Sequence, residues 1–492
     1  MTNLSDLFPA GAGKQVSFVA DGAISAAGKP VVLTALGKVA PITGADAAYG
    51  AVGEIGTSAT TENANWMACA YDANADKIVV CYERGSASTG YSAVGTVSGT
   101  SISFGTQAEF TGTGSPQNLS MAYDANAQKV VVAYTSSSNA YIYAKVGTVS
   151  GTTISWGSES TIDSNGSSPF LAYDANAQKI VCAFVDVGNS SYPSAYVGTI
   201  AGTGISWGAQ TVYKSTAATS ASCAYDATNQ TVLCCSSHSS GSGVNIGSVS
   251  GSSISFSGSW TAFTTDNGYH ARAAWDSNAQ RIVATYSKDS DLYGRAYVGS
   301  VSATTITWGS ENVYNAASSY RPHIIFNSST GVNKIYIVYG NPGSSGVPTG
   351  ITATVSGLTT TFDTAVAFGS PGVDSRGTGK PALDTSSGLI ANVYAPDAGG
   401  YYYMPSCKMF TTGYTSLTAT NFIGISDAAI LDTASGNVTI KGGIAATGLT
   451  SLTPGSDYYA QGDGTISTVS TGSAVKIGKA MSATSINLEY QS

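Results

Sequence analysis

The stretch AYDANAQK at residues 122–129 returns letter for letter at 172–179, and near-copies of it punctuate most of the chain. Aligned on their aspartate, the copies fall at Asp72, Asp124, Asp174, Asp226 and Asp276, in steps of 52, 50, 52 and 50 residues. A fixed period of this size marks a repeat architecture. Each copy carries a second landmark further on: VGTVSGTSISFG at 94–105, VGTVSGTTISWG at 146–157, VGTIAGTGISWG at 197–208, IGSVSGSSISFS at 246–257 and VGSVSATTITWG at 298–309.

Around the first landmark, apolar residues flank a polar Asp-Ala-Asn-Ala-Gln turn, the pattern of a β-hairpin. Around the second, β-branched and aromatic residues flank Ser-Gly-Thr, which reads as another hairpin. Two hairpins per repeat make the four antiparallel strands of a β-propeller blade. No window shows a helical 3.6-residue period, and the many Gly and Ser residues disfavour helix. Past Asp276 the phase continues through Asn327, 51 residues on, and Asp384, 57 further. The span Glu62 to Thr420 is 359 residues, which matches seven such repeats. The sequence therefore predicts an all-β, seven-bladed β-propeller. Tyr71, Tyr123, Tyr173, Tyr225, Trp275, Phe326 and Leu383 precede the markers and are expected to pack between blades.

Of the 492 residues only 10% are charged, and the formal net charge is −8. An ordinary soluble domain is about 25% charged. An acidic, cation-poor chain argues against nucleic acid as partner, since phosphate recognition needs clustered cations. No apolar run approaches the roughly 18 residues of a membrane span. The opening MTNLSDLFPAGAGKQ lacks the basic and apolar regions of a secretory signal. Cys182 and Cys234 stand where other repeats hold Val80, Val132 and Ala284, so cysteine fills a small apolar slot. Cys223 and Cys234 face each other across a hairpin and are the one pair open to bridging. The other thiols are expected free, which implies assembly in a reducing cytoplasm.

Residues 45–420 form the expected propeller, with 1–44 and 421–492 outside it. Both ends read as short strands and turns, each small for a core of its own. Because the ends of a ring meet in space, the two pieces are expected to build one small β-domain.

The opening, with Leu4, Leu7, Pro9, Gly11, Gly13 and KQVSFVADGAIS at 14–25, resembles the amino-terminal region of tail-fibre and related virion proteins of marine tailed phages. LTPGSDYYAQGDGTIST at 452–468 and IGKAMSATSINL at 477–488 resemble their small carboxy-terminal β-domain, and the VGTVSGTSISFG landmark is similar to their central repeats. The resemblance implies a virion structural protein that meets other virion proteins through its terminal domain. It also implies a homotrimer, for which the sequence offers no coiled-coil heptad. It carries over no functional residue.

Candidate chemistry comes from departures from the repeat. Asp72, Asn74 and Asp76 form a partial D-x-N-x-D calcium pattern, but the other copies replace the third acid with Gln, and the turn reading competes. The arginines Arg84, Arg272, Arg295, Arg321 and Arg376 fall at no common register position, and the sialidase-type S-x-D-x-G-x-T-W box is absent. His238, His270 and His323 sit in unrelated contexts. No catalytic residue, cofactor or metal is therefore assigned. Binding reads better. Six and seven residues before each marker, most repeats hold small polar groups, but Trp66, Tyr269, His270, Tyr320 and Arg321 break the pattern. With Tyr401, Tyr402 and Tyr403, they make a candidate rim of rings and polar edges suited to a host-surface glycan. Packing of the same aromatics as a channel plug is the competing explanation. The resulting expectation is a virion attachment protein that is not an enzyme. The alternatives are a decoration subunit that binds nothing and a glycan-degrading spike.

Overall fold

The computed structural model describes residues 15–489 except 35, 43, 46, 57–63, 86, 112–113, 257, 330–331, 342–346, 370–378, 396–404, 413, 416, 418–420, 463 and 471–473. Among the described residues the chain is all-β apart from one 3-10 turn at Val187–Asn189. It divides into two compact units, Met1–Ala47 with Gly413–Ser492, and Ala48–Thr412. No described helix is long and apolar enough to cross a membrane.

In the larger unit each repeat is one antiparallel sheet. Six sheets have five strands and a further one has four. Their inner strands are Ala64–Asp72, Pro116–Asp124, Gly166–Asp174, Ser220–Asp226, Gly268–Asp276, Tyr320–Asn327 and Ala382–Leu383, and the sheets are numbered one to seven in that order. The second strand of a sheet, such as Lys129–Ser136, is buried along nearly its whole length. Neighbouring sheets cover both of its faces, which is why it reads as an uninterrupted apolar run (VVVAY) and not as an alternation.

Each core cluster joins two successive sheets. Val79, Val94 and Phe110 of sheet one meet Met121, Val130 and Tyr134 of sheet two. Val131, Ala133 and Val146 then meet Leu171, Ile180 and Phe184. Another cluster joins Met67, Ile78 and Tyr82 of sheet one to Ala391, Val393 and Met409 of sheet seven. No sheet could hide its apolar faces alone, so the cores make the sheets cooperative.

The repeat marker caps its own turn. Asp174 is 1% exposed, and its Oδ1 accepts the backbone N–H of Asn176 and of Ala177, both at 2.9 Å. Asp72, Asp124, Asp226 and Asp276 do the same in their hairpins. Asn327 accepts from the N–H of Ser329 at 3.0 Å in sheet six. The tyrosine before each marker ties sheets together: the N–H groups of Asn74, Asn126 and Asn176 donate to Tyr123, Tyr173 and Tyr225 of the following sheet at 3.1–3.2 Å. Asp174→Ala is therefore expected to lower stability by about 1 kcal/mol, because two part-buried N–H groups of the turn lose their acceptor. Asp174→Asn, the residue sheet six already uses, should keep most of it. Equal thermal midpoints for the two variants would show that the side chain is not the cap.

Sheet seven takes its outermost strand from the other end of the unit. Ala48–Glu54 pairs with Ser406–Thr411, and Tyr49 lies opposite Phe410. In sheet two the same register position is filled by Trp156 opposite Gly147.

In the smaller unit the two chain ends interleave. Gln15–Val19 pairs with Ser435–Ile440, and Pro30–Leu33 pairs with Phe422–Ser426 in one five-stranded sheet. A second five-stranded sheet uses Ile444–Ala445, Ser485–Leu488, Val475–Ser482, Asp457–Ala460 and Ile466–Ser467. Val32, Phe422 and Ile425 of the first sheet pack against Tyr458, Ile477 and Ile486 of the second.

Candidate functional site

Five inner strands share one irregularity. Between Asn65 and Ala68, Gln117 and Ser120, Ser167 and Phe170, Tyr269 and Arg272, and Tyr320 and His323, the ladder slips by one residue. At each slip the residue six before the marker has a left-handed backbone: Trp66 (φ 46°), Asn118 (51°), Ser168 (54°), His270 (55°) and Arg321 (44°). Such bulges re-aim a side chain and terminate pairing. Holding a non-glycine residue there costs on the order of 1 kcal/mol or more. In sheet four Ser220–Asp226 pairs without a slip.

All five left-handed residues line a single cavity of about 320 Å³, within the range of small-molecule sites. Met67, Leu119, Ser168, Pro169, Phe170 and Thr219 contribute the rest of an amphipathic wall, with Arg272 and His323 beside them. The guanidinium of Arg321 lies 4.2 Å above the Trp66 ring.

Past the bulges, the residue four before each marker differs from sheet to sheet. It is small in three sheets, Ala68, Ser120 and Ser222, and large in four, Phe170, Arg272, His323 and Lys380. Phe170 is the hub. Arg272 lies 4.9 Å and Lys380 4.4 Å from its ring centroid, and His323 stacks at 6.5 Å with an interplanar angle of 19°. Lys380 Nζ donates to the carbonyls of Met121 and Leu171, each at 2.9 Å. Arg272 Nη1 donates to the carbonyls of Ala271 at 3.0 Å and Ala221 at 3.4 Å.

Burial moves Lys380, Arg272, His270 and His323 toward their neutral forms. It pulls Lys380 down to about 8, and Arg272 down to about 10 with Arg321 repelling it. His270 falls to about 3, through burial first and then the adjacent Arg272 and Arg321, and His323 is lowered for the same reasons. Both imidazoles are neutral near pH 7 while the guanidinium groups and Lys380 keep their charge.

Of the residues marked by sequence, Trp66, His270 and Arg321 converge on the cavity. Tyr269 and Tyr320 do not line it and stay 39% and 37% exposed, because the bulge turns only the following side chain inward. Tyr401, Tyr402 and Tyr403 lie outside the described residues. Asp72 spends its Oδ1 on the turn, and Asp76 accepts from Tyr71 and Ser386. Among the described residues no His, Cys, Asp or Glu group is placed to hold a metal ion. Arg272 and Arg321, which share no register position, nevertheless line one cavity. The expected rim omitted Phe170, Arg272, His323 and Lys380. Their signal was present: four bulky or charged residues at a place where three repeats hold Ala or Ser. Cys223 and Cys234 are register partners as read, and both are free, with Cys223 Sγ donating to the carbonyl of Phe170 at 3.2 Å.

No protein-family model and no curated protein matches the chain. Solved structures similar to it include the β-propeller domain of Cps50 (Swd1) from Myceliophteria thermophila, at 11% identity and a TM-score of 0.47, over 76% of this chain and all of that one. A protein of unknown function from Dyadobacter fermentans aligns at 11% identity and a TM-score of 0.44, covering 74% of this chain and 99% of that one. The NanB sialidase of Streptococcus pneumoniae aligns at 9% identity and a TM-score of 0.43, covering 73% of this chain and 70% of that one.

Proposed function

We propose that the larger unit is a closed, seven-bladed wheel that binds a host-surface glycan, and that the chain is a virion attachment protein held to other virion proteins through its terminal unit. The observation that carries the binding reading is the convergence of five strained, non-glycine residues on one cavity. Strain repeated at equivalent positions in five sheets is hard to account for by folding needs, since sheet four closes the same ladder without it. The lining suits a sugar. Trp66 and Phe170 offer aromatic surface for the apolar face of a pyranose, and Asn118, Ser168 and Thr219 offer amide and hydroxyl groups for its edge. The cavity's lining residues include no carboxylate among those described, and glycoside cleavage calls for a carboxylate pair, so adhesion is favoured over hydrolysis. The virion assignment is supported by the resemblance of the two chain ends to fibre-type segments.

Trp66→Ala is expected to leave the fold intact and to weaken glycan binding at least roughly tenfold, as loss of a stacking ring does at an aromatic hot spot. The measurement is a glycan array followed by titration of the best binder, with circular dichroism melts as the folding control. A variant that melts much earlier yet binds normally would make Trp66 a plug and not a binding residue. Labelled antibody to the chain, imaged on intact particles, tests the virion assignment separately.

A further inference from the structure

Arg272, which lines the cavity, and Lys380, which shares the Phe170 ring with it, have no counter-ion among the described residues. Arg272 and Lys380 form no ion pair among the described residues, and none of the described lining residues is acidic. Along their own strands the next carboxylates, Asp276 and Asp384, are four residues away, about 13 Å on an extended chain. Both of those carboxylates are committed to turn N–H groups. Holding a partly buried cation without an anion costs free energy, and a hydrophobic residue of the same size would pack here more cheaply. The guanidinium is also oriented. Its Nη1 is turned onto the carbonyls of Ala271 and Ala221, and its Nε is buried with no acceptor. Among the described residues Nη2 carries no hydrogen bond, and with Nε closed off it is the donor left to reach a ligand in the cavity. His323, beside it, has a buried Nδ1 that also lacks a partner.

We infer that the ligand of this cavity is a saccharide bearing an anionic group, a carboxylate or a sulfate ester, which seats on Nη2 of Arg272 with Lys380 beyond the Phe170 ring. The inference rests on the glycan reading above. Trp66 and the small polar residues hold the sugar ring, and Arg272 selects its charge.

The test uses the full chain with matched glycan pairs that differ in one group: uronic acid against the parent hexose, and sulfated against unsulfated hexose. Wild-type protein should prefer the acidic member, and the better of the two acidic series names the anion. Arg272→Met should erase that preference, the ratio of acidic to neutral affinity falling on the order of 30-fold. Arg272→Lys, which keeps the charge on a compact, strongly hydrated ammonium, should recover only part of it. Should Arg272→Met fail to fold, Lys380→Met provides the second variant. A parallel thermal titration with sodium sulfate and sodium acetate at fixed ionic strength separates the two levels of the claim. Equal binding of acidic and neutral glycans by wild type overturns the anionic seat and leaves the glycan reading standing. Absence of glycan binding, with sulfate or acetate stabilising wild type but not Arg272→Met, sinks the glycan reading and keeps the anion seat. Response to neither overturns both.

Discussion

Gly50→Val is expected to destabilise the larger unit by about 3 kcal/mol or more, lowering its thermal midpoint by roughly 5 °C or leaving it insoluble. A Cβ at Gly50 would stand 1.8 Å from the carbonyl oxygen of Thr100, in the turn of the outer hairpin of sheet one. That is a backbone atom, so the collision cannot be relieved by rotating a side chain. The same approach recurs around the unit. A Cβ at Gly105 would meet the Thr152 carbonyl oxygen at 2.1 Å, Gly157 that of Thr203 at 1.8 Å, Gly208 that of Ser252 at 1.7 Å, Gly258 that of Thr304 at 2.1 Å, and Gly309 that of Leu358 at 2.2 Å. In each case the fourth strand of one sheet, or the residues just after it, lies against the outer turn of the next. Gly50 makes this contact from the amino-terminal strand of sheet seven to sheet one, and so sits where a closed ring would be fastened. Gly157→Val should cost a similar amount, whereas Val52→Thr, on the same strand but 47% exposed, should cost under about 0.5 kcal/mol. If Gly50→Val melted like wild type while Gly157→Val did not, Ala48–Glu54 would not be holding the unit shut.

That fastening strand shows where sequence reading succeeds and where it stops. The period, the two hairpins of each repeat and the capping aspartates were legible because each recurs at fixed spacing with a local physical cause. Tyr49-Gly50 repeats the Trp156-Gly157 signature in register, but it stands more than 300 residues ahead of the sheet it completes, and two residues without their neighbours carry little signal. The candidate cavity was half legible. Trp66, His270 and Arg321 stood out because they replace small polar residues, yet Tyr269 and Tyr320 stood out equally and face away. Strict alternation along a strand does not survive an inserted residue, and nothing local in GYHAR or YRPH announces the left-handed turn that separates them. Phe170, Arg272, His323 and Lys380 were passed over for the opposite reason. They lie within ordinary-looking strands, and only a column-by-column comparison of the repeats reveals that their position is exceptional.

The larger unit is also expected to lose several kcal/mol of stability between pH 7 and pH 10, a large part of what an ordinary domain has. All seven cysteines are free and buried. Burial raises Cys223 to about 11 and Cys235 and Cys407 to about 12, and it raises Cys69, Cys81, Cys182 and Cys234 as well. An unfolded thiol ionises near pH 9, so above that pH the unfolded chain releases protons that the folded chain keeps. The folded state then binds more protons, and stability falls as pH rises. At pH 10 each thiol kept neutral in the fold contributes on the order of 1 kcal/mol to this loss, and the seven act in the same direction. Lys380 opposes them. Its value in the fold, about 8, lies below the ordinary 10.5, so it adds stability as pH climbs through that window, by at most about 3 kcal/mol, and Arg272, lowered to about 10, begins to act the same way at the top of it. Buried tyrosines such as Tyr336 and Tyr49, raised by the same desolvation, act with the thiols above pH 10. Denaturant titrations under reducing conditions at pH 7, 8.5 and 10 measure the slope, and Cys234→Ala should flatten it by one thiol's share. Undiminished stability at pH 10 would mean that the thiols are not held neutral in the core, and that the clusters joining one sheet to the next are wetter than their burial implies.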